Sequence, residues 1–300
     1  MKPSILVTRA VFPDVVARLS EHFTVEDNPD DHIFSEAELI QKLQGKDGLF
    51  ANPADRITAA LIQACPQLKA VCNMAVGYNN VDVAAATAAG IMVTNTPDVL
   101  NETTADFGWA LLMATARRVT ESEHFLRAGL WTRWSYDMFA GAEVHGSTLG
   151  IIGMGRIGQA IARRAAHGFG MNVLYHNRSR LAPELEAACK ATYVSKQALL
   201  QQADHVVLVV PYSKESHHTI GAAELALMKP TATLTNIARG GIIDDAALAK
   251  ALQQGQIAAA GLDVFENEPK LNPELLQCSN IVMTPHIGSG TLATRLAMAN

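Results

Sequence analysis

The sequence predicts an α/β protein of two lobes, each built on a doubly wound parallel sheet. Three observations predict it. Short β-branched runs alternate with helix-length, Ala- and Leu-rich stretches nearly from end to end, the pattern of parallel strands joined by crossover helices. The alternation comes in two series, separated by the breaker Thr96-Pro97-Asp98. And 300 residues, at roughly 150 per domain, suffice for about two hydrophobic cores.

In the first series, strands are expected over 5–8, 48–51, 68–72 and 91–94, with helices over 13–23, 35–43 and 81–89. Ser35-Glu36-Ala37-Glu38 is a capping box that opens the second of these helices. After the break comes a long Ala/Leu/Met helix over 102–118 that carries Trp109. An arm over 125–144 follows, bearing Trp131, Trp134 and Tyr136. The second series holds strands over 148–153, 172–176, 205–210, 233–236, 258–262 and 281–284, whose apolar character suits a sheet buried on both faces. Pro285-His286 then leads to a last helical piece over 291–300. There is no repeat of fixed period and no low-complexity segment.

Composition removes several classes of function. Lys and Arg number 24 against 29 Asp and Glu, a net charge of -5, and no basic run follows a phosphate backbone, so nucleic acid is not an expected partner. The longest apolar stretches, 83–93 and 206–210, fall short of the roughly 18 to 20 residues of a membrane span. Met1-Lys2-Pro3 runs straight into a strand-like segment with no secretion signal. Cys65, Cys72, Cys189 and Cys278 are scattered, without a CxxC pair or a histidine at ligand spacing. They read as idle thiols in a reducing cytoplasm, and no metal site is expected.

One motif points to a cofactor. Leu149-Gly150-Ile151-Ile152 is an apolar strand that leads into Gly153-Met154-Gly155-Arg156-Ile157-Gly158, with a helix expected over 159–167. In that context the first glycine permits a tight turn, the second lets backbone approach a pyrophosphate, and the third lets helix and strand pack closely. The helix N-terminus adds amide donors and a partial positive charge. A dinucleotide site that prefers NAD usually has an acidic residue at the end of the next strand, where it binds the ribose 2′-OH. Here that end reads Asn177-Arg178-Ser179-Arg180, with no carboxylate before Glu184. A 2′-phosphate would meet guanidinium, hydroxyl and amide groups, so NADPH is favoured over NADH. Solvated arginines beside a dual-specific or NAD-using site are the alternative.

Three further segments fall at strand ends, where ligands collect in a doubly wound sheet. They are Asn236-Ile237-Ala238-Arg239-Gly240-Gly241, the run from Gly261 through Asp263 and Glu268 to Pro269, and Thr284-Pro285-His286-Ile287-Gly288-Ser289. With these, and with Val76-Gly77-Tyr78-Asn79-Asn80-Val81-Asp82 and the run from Thr96 through Thr104 to Asp106, the chain resembles the D-isomer-specific 2-hydroxyacid dehydrogenases over nearly its whole length. Within that family the likeness is to the glyoxylate/hydroxypyruvate and 2-ketogluconate reductase branch, through Asn177-Arg178-Ser179 and the Trp-bearing arm. The resemblance implies NADPH-linked reduction of a short 2-keto acid to a D-2-hydroxy acid. It also implies a flavodoxin-like substrate lobe over 1–97 with 285–300, a Rossmann lobe over 98–284, and a homodimer formed through the Rossmann lobe and the Trp131/Trp134 arm.

The chemistry gives the residues roles. Hydride delivery to a ketone builds negative charge on oxygen and calls for a proton donor near the working pH, which suits His286. The resemblance makes Glu268 the carboxylate that orients its ring. Arg239 offers a permanently charged planar fork for the substrate carboxylate and carbonyl. By resemblance the Val76 and Gly77 amides also meet that carboxylate, Asp263 lies near the nicotinamide carboxamide, and Thr104, Ile157, Pro211, Ile237, Ala238 and Gly288 line the cofactor groove. Trp134 corresponds to a tryptophan that enters the neighbour's pocket, with a local core or lid residue as the alternative. Phe50 and Asn52 could touch distal substrate groups or simply pack. The remaining histidines, His217 and His218 among them, are assigned no role. Family members usually run on past the position of Asn300, which leaves closure of the substrate lobe open. Two other readings stay open as well: an NAD-dependent relative with another substrate, and a nucleotide-sensing corepressor-like protein without catalysis.

Overall fold

Strands β1 (Ser4–Val7), β2 (Thr24–Glu26), β3 (Gly48–Ala51), β4 (Ala70–Asn73) and β5 (Met92–Thr94) pair in parallel in the order β2-β1-β3-β4-β5. This is the flavodoxin-like winding. The computed structural model describes all 300 residues, and this sheet belongs to a unit made of residues 1–100 and 290–300. Its core joins Leu6, Leu49 and Val71 of the strands to Leu39, Leu43, Leu61 and Ile62 of the crossover helices. The capping box forms as expected: the Ser35 hydroxyl accepts from the Glu38 amide while the Glu38 carboxylate accepts from the Ser35 amide.

Residues 101–289 form the second unit. Its seven strands are β6 (Thr148–Ile152), β7 (Asn172–His176), β8 (Ala191–Tyr193), β9 (His205–Leu208), β10 (Thr233–Asn236), β11 (Ala259–Leu262) and β12 (Ile281–Met283). They run parallel in the order β12-β11-β10-β9-β6-β7-β8. The winding reverses at β6, so the carboxyl ends of β6 and β9 flank the crevice where a doubly wound sheet binds its ligand. Burial on both faces follows the period of two. Leu149, Ile151, Val173, Tyr175 and Val207 enter one core, and Ile152, Leu174, Val206 and Leu208 enter the other. Helix Asn101–Ala116 closes the first of these cores, with Leu111 and Leu112 fully buried.

Several elements differ from expectation. The long helix ends at Ala116, because Arg118 takes a left-handed conformation with φ 53° and starts a second helix, Val119–Arg127. Edge strands β2 and β8 are additional to the expected set. The helix after the glycine motif begins at Arg156 and widens into a π turn over Arg164–Gly168. The unit boundaries fall at 100/101 and 289/290, which puts His286 in the larger unit, tied there by Asp263 as described below. No helix is long and apolar enough to cross a membrane.

Candidate active site

The glycine motif forms a cradle between β6 and its helix. Gly153 has φ 103°, and a Cβ there would lie 2.6 Å from the Val209 carbonyl carbon, so only glycine makes this turn. A Cβ on Gly158 would fall on the Gly153 carbonyl oxygen, whereas one on Gly155 would meet no atom within 4 Å. The space in front of Gly155 is what close approach of a pyrophosphate needs. Helix Arg156–Arg163 has Gly155 as its N-cap, with no side-chain cap, so an anion at the cradle would meet the positive end of the helix dipole. These features fit a dinucleotide. Ile157 is half-buried on the first turn of that helix.

The end of β7 divides the labour among its polar residues. Asn177 Oδ1 accepts from the Met154 amide at 2.6 Å, so the side-chain oxygen braces the glycine turn. Arg180 forms a fork on Glu186, with Nε and Nη2 each 2.8 Å from a carboxylate oxygen. Tyr175 Oη donates to the same carboxylate at 2.5 Å and accepts from the Leu181 amide at 2.9 Å. Arg180 and then Tyr175 hold the Glu186 carboxyl down to about 2. Arg178 and Ser179 are exposed on the turn between these anchors.

The turn after β10 carries Arg239. Asn236 staples it: Oδ1 accepts from the Ala238 amide at 3.0 Å, and Nδ2 donates to the Arg239 carbonyl at 3.2 Å. Arg239 Nη1 donates to the Ala238 carbonyl at 2.7 Å. Burial pulls the guanidinium below its ordinary pKa and the charge of Glu268 opposes this, leaving the side chain a cation at neutral pH. Gly240 lies so close to the next loop that a Cβ would fall on the Phe265 carbonyl. The Arg239 and Glu268 loops therefore interlock through backbone.

His286 and Glu268 form a pair, with Nδ1 to Oε1 at 2.6 Å and each side chain about a third exposed. Burial alone would raise the Glu268 pKa, but the bond and charge of His286, the Phe265 amide and the charge of Arg239 together outweigh it and hold the group below the usual carboxylate range. Glu268 is thus an acceptor at neutral pH, and Nδ1 carries the proton. The Phe265 amide donates to Oε2 at 3.1 Å. On the other side Asp263, only 2% exposed, organises the His286 loop. Its Oδ1 accepts from Thr284 Oγ1 and the Ile287 amide, and its Oδ2 accepts from the Gly288 amide, each at 2.8 Å. Burial raises the Asp263 pKa against these bonds.

The other sequence-predicted residues can be placed as well. Thr104, Ile237, Ala238 and Gly288 are buried in the larger unit, and Pro211 is exposed just beyond β9. Trp131 and Trp134 are exposed on the arm. In the smaller unit, Asn95 Nδ2 donates to the Val76 carbonyl and Asn73 Nδ2 to the Gly77 carbonyl, each at 2.9 Å. Phe50 and Asn52 are half-buried at the end of β3. Sequence reasoning did not find Asn236 and Glu186 as braces, nor the clamp that Asp263 makes. Asn236 stands two residues before Ala238 in a strand-end turn, the spacing of an Asx turn, and was findable. The Tyr175, Arg180 and Glu186 network has no such local signature.

A family model described as the D-isomer specific 2-hydroxyacid dehydrogenase, NAD binding domain matches residues 109–288. In sequence the chain is similar to the glyoxylate reductase of Thermococcus gammatolerans, 50% identical over 303 residues that span 100% of this chain and 90% of that protein. The glyoxylate reductase of Pyrococcus furiosus is 47% identical with the same coverage. Among solved structures it is similar to the NADPH-dependent glyoxylate/hydroxypyruvate reductase of Sinorhizobium meliloti in complex with NADP and malonate. There the TM-score is 0.88 at 36% identity, over 100% of this chain and 91% of the other.

Proposed function

Because the chain belongs to the D-isomer-specific 2-hydroxyacid dehydrogenases and is an NAD(P)-dependent oxidoreductase acting on CH–OH groups, we propose that it reduces glyoxylate and hydroxypyruvate to the hydroxy acids with NADPH, and 2-ketogluconate less readily. The observation behind this reading is the short His286–Glu268 pair, on the same unit as a glycine cradle fit for a dinucleotide. When bound, the reduced nicotinamide supplies the hydride. Arg239 holds the substrate carboxylate and draws charge onto the carbonyl oxygen. As the new C–H bond forms, the carbonyl electron pair moves to oxygen, which takes a proton from Nε2 of the His286 imidazolium. Glu268 accepts from Nδ1 throughout and so fixes the ring with Nε2 as the atom that donates. With reduction of hydroxypyruvate the product is the D-2-hydroxy acid, and the active form is a homodimer joined through the larger unit and its Trp131/Trp134 arm.

The preference for NADPH is assigned to Arg178 and Ser179. Their neighbours are engaged elsewhere, Asn177 with the glycine turn and Arg180 with Glu186. A charge-assisted bond of about 1.5–3 kcal/mol corresponds to roughly 10- to 100-fold in affinity. Arg178→Ala is therefore expected to weaken NADPH by about that factor and NADH by less than about threefold, read by fluorescence titration. Equal losses for both coenzymes would remove Arg178 from the 2′-phosphate. Initial rates at 340 nm, with NADPH and NADH each against glyoxylate, hydroxypyruvate, 2-ketogluconate, pyruvate and phosphohydroxypyruvate, test the substrate reading. NADPH-linked turnover led by the first two supports it, and a preference for pyruvate or phosphohydroxypyruvate with NADH overturns it.

A further inference from the structure

Outside the His286–Glu268 pair, two loops assemble a second group of imidazoles and carboxylate that the proposed reaction does not use. His217 and His218 stack with ring centroids 3.8 Å apart and planes 22° apart. Glu266 Oε2 lies 3.3 Å from His218 Nε2, and one ligand atom from each of the three residues falls within 4.8 Å of the others. Consecutive side chains diverge in regular helix or strand. Here they face the same way because His218 takes a left-handed conformation, φ 49°, a backbone state uncommon outside glycine and concentrated at functional sites.

We propose that His217, His218 and Glu266 form a binding site for a divalent cation of the zinc class, with water completing its shell. The distances favour an ion over a shared proton. A charge-assisted N–H···O bond is about 2.7–2.9 Å long, and the His286–Glu268 pair at 2.6 Å shows what this chain builds for that purpose. Tetrahedral zinc with bonds of about 2.0–2.2 Å sets neighbouring ligand atoms about 3.3–3.5 Å apart, the spacing seen between His218 and Glu266. Two imidazoles and one carboxylate suit zinc, copper or nickel far better than magnesium or calcium.

The surroundings hold the ligands as outer-shell partners do. Tyr212 Oη is 3.2 Å from His217 Nδ1, which leaves Nε2 as the ligating atom. The His218 amide donates to the Gly241 carbonyl at 2.7 Å, and the Glu266 amide donates to Asp245 Oδ2 at 3.1 Å. His217 is exposed, so an ion enters directly from solvent. An occupant would tie the loop after β9 to the loop that carries Glu268.

The test is calorimetric titration of the chelator-treated, NADP-loaded protein with zinc chloride, with magnesium chloride as comparison. The expected result is one zinc per chain, no magnesium at the same concentrations, and a rise in melting temperature with zinc. His217→Ala and Glu266→Gln should each weaken zinc by about 10- to 100-fold and abolish the rise, while melting like the parent protein in zinc-free buffer. His286→Ala should leave zinc binding as it was. Absence of saturable zinc binding, binding unchanged in the first two variants, or loss in His286→Ala alone would each overturn the site.

Discussion

His286 sits at φ 53°, a conformation that costs an ordinary residue about 1–3 kcal/mol and persists only where the surroundings over-determine it. Here the backbone is fixed from behind, by the amide of His286 donating to the Asp263 carbonyl at 2.9 Å and by the three bonds on the Asp263 carboxylate. Glu268 fixes the ring from one side, leaving Nε2 as the working atom. Removing the ring in His286→Ala should lower kcat by about 10²- to 10⁴-fold, the usual size of a general-acid contribution, while the NADPH dissociation constant stays within a factor of about three. Unchanged turnover would take the proton donor elsewhere. Asp263→Asn separates positioning from chemistry, because the amide nitrogen of Asn cannot accept and one of the three donors loses its partner. Its expected signature is a fall in kcat of about tenfold or more with NADPH affinity kept. A loss confined to NADPH affinity would instead make Asp263 a cofactor contact.

The turn after β7 shows how an element's end is held for work that none of its anchors performs. Tyr175, Arg180 and Leu181 all converge on Glu186 or on the tyrosine hydroxyl, so the exposed Arg178 and Ser179 ride on a braced loop. The bonds from Arg180 and Tyr175 lower the Glu186 pKa from an ordinary 4.5 to about 2. A carboxylate whose folded pKa is depressed contributes stability that is fully present above its unfolded pKa and is lost as pH falls towards the folded one. The melting temperature of the parent protein should therefore exceed that of Glu186→Gln at pH 7, with the gap closing between pH 4.5 and 2. A gap that does not change with pH would mean that the charge is immaterial. This network was not legible in the sequence, because its partners are joined by strand packing and carry no spacing rule. The central strands β6 and β9 were legible, since burial on both faces leaves near-continuous apolar runs. Edge strands β2 and β8, three residues each and only partly buried, leave no such run. The break at Arg118 was hidden too, because no glycine or proline marks it. Of the site, the glycine cradle could be read from local spacing. Glu268 and His286 lie on separate loops, and only the family resemblance paired them.

At the scale of the whole molecule, the arm of the larger unit displays apolar surface on an ordered frame. Phe125 and Phe139 pack edge to face at 5.2 Å, and Arg118 lies over the Phe139 ring at 5.1 Å. The Ala142 amide donates to the Ala116 carbonyl at 2.8 Å, and His205 Nε2 meets the Glu143 carbonyl at 3.0 Å, so the C-terminal end of the arm is tied to the unit. Yet Trp131 is 55% exposed and Trp134 74%, with Leu126 and Leu130 exposed beside them in sequence. Large aromatics fixed on a rigid frame and left to water are the anchors that protein interfaces use, because little side-chain entropy is lost when they are covered. A net charge of -5 per chain opposes pairing only weakly at physiological salt, where interactions between exposed charges are screened beyond about 8 Å. Light scattering at micromolar concentration should therefore give twice the chain mass of 32.1 kDa. Trp131→Glu with Trp134→Glu should return the single-chain mass, because two carboxylates would have to be buried unpaired in the interface. The melting curve of this variant, read at a concentration where the parent is also dissociated, should match the parent, since both side chains are exposed in one chain. A parent protein of single-chain mass, or a double variant that stays paired, would place the dimer contact elsewhere or remove it.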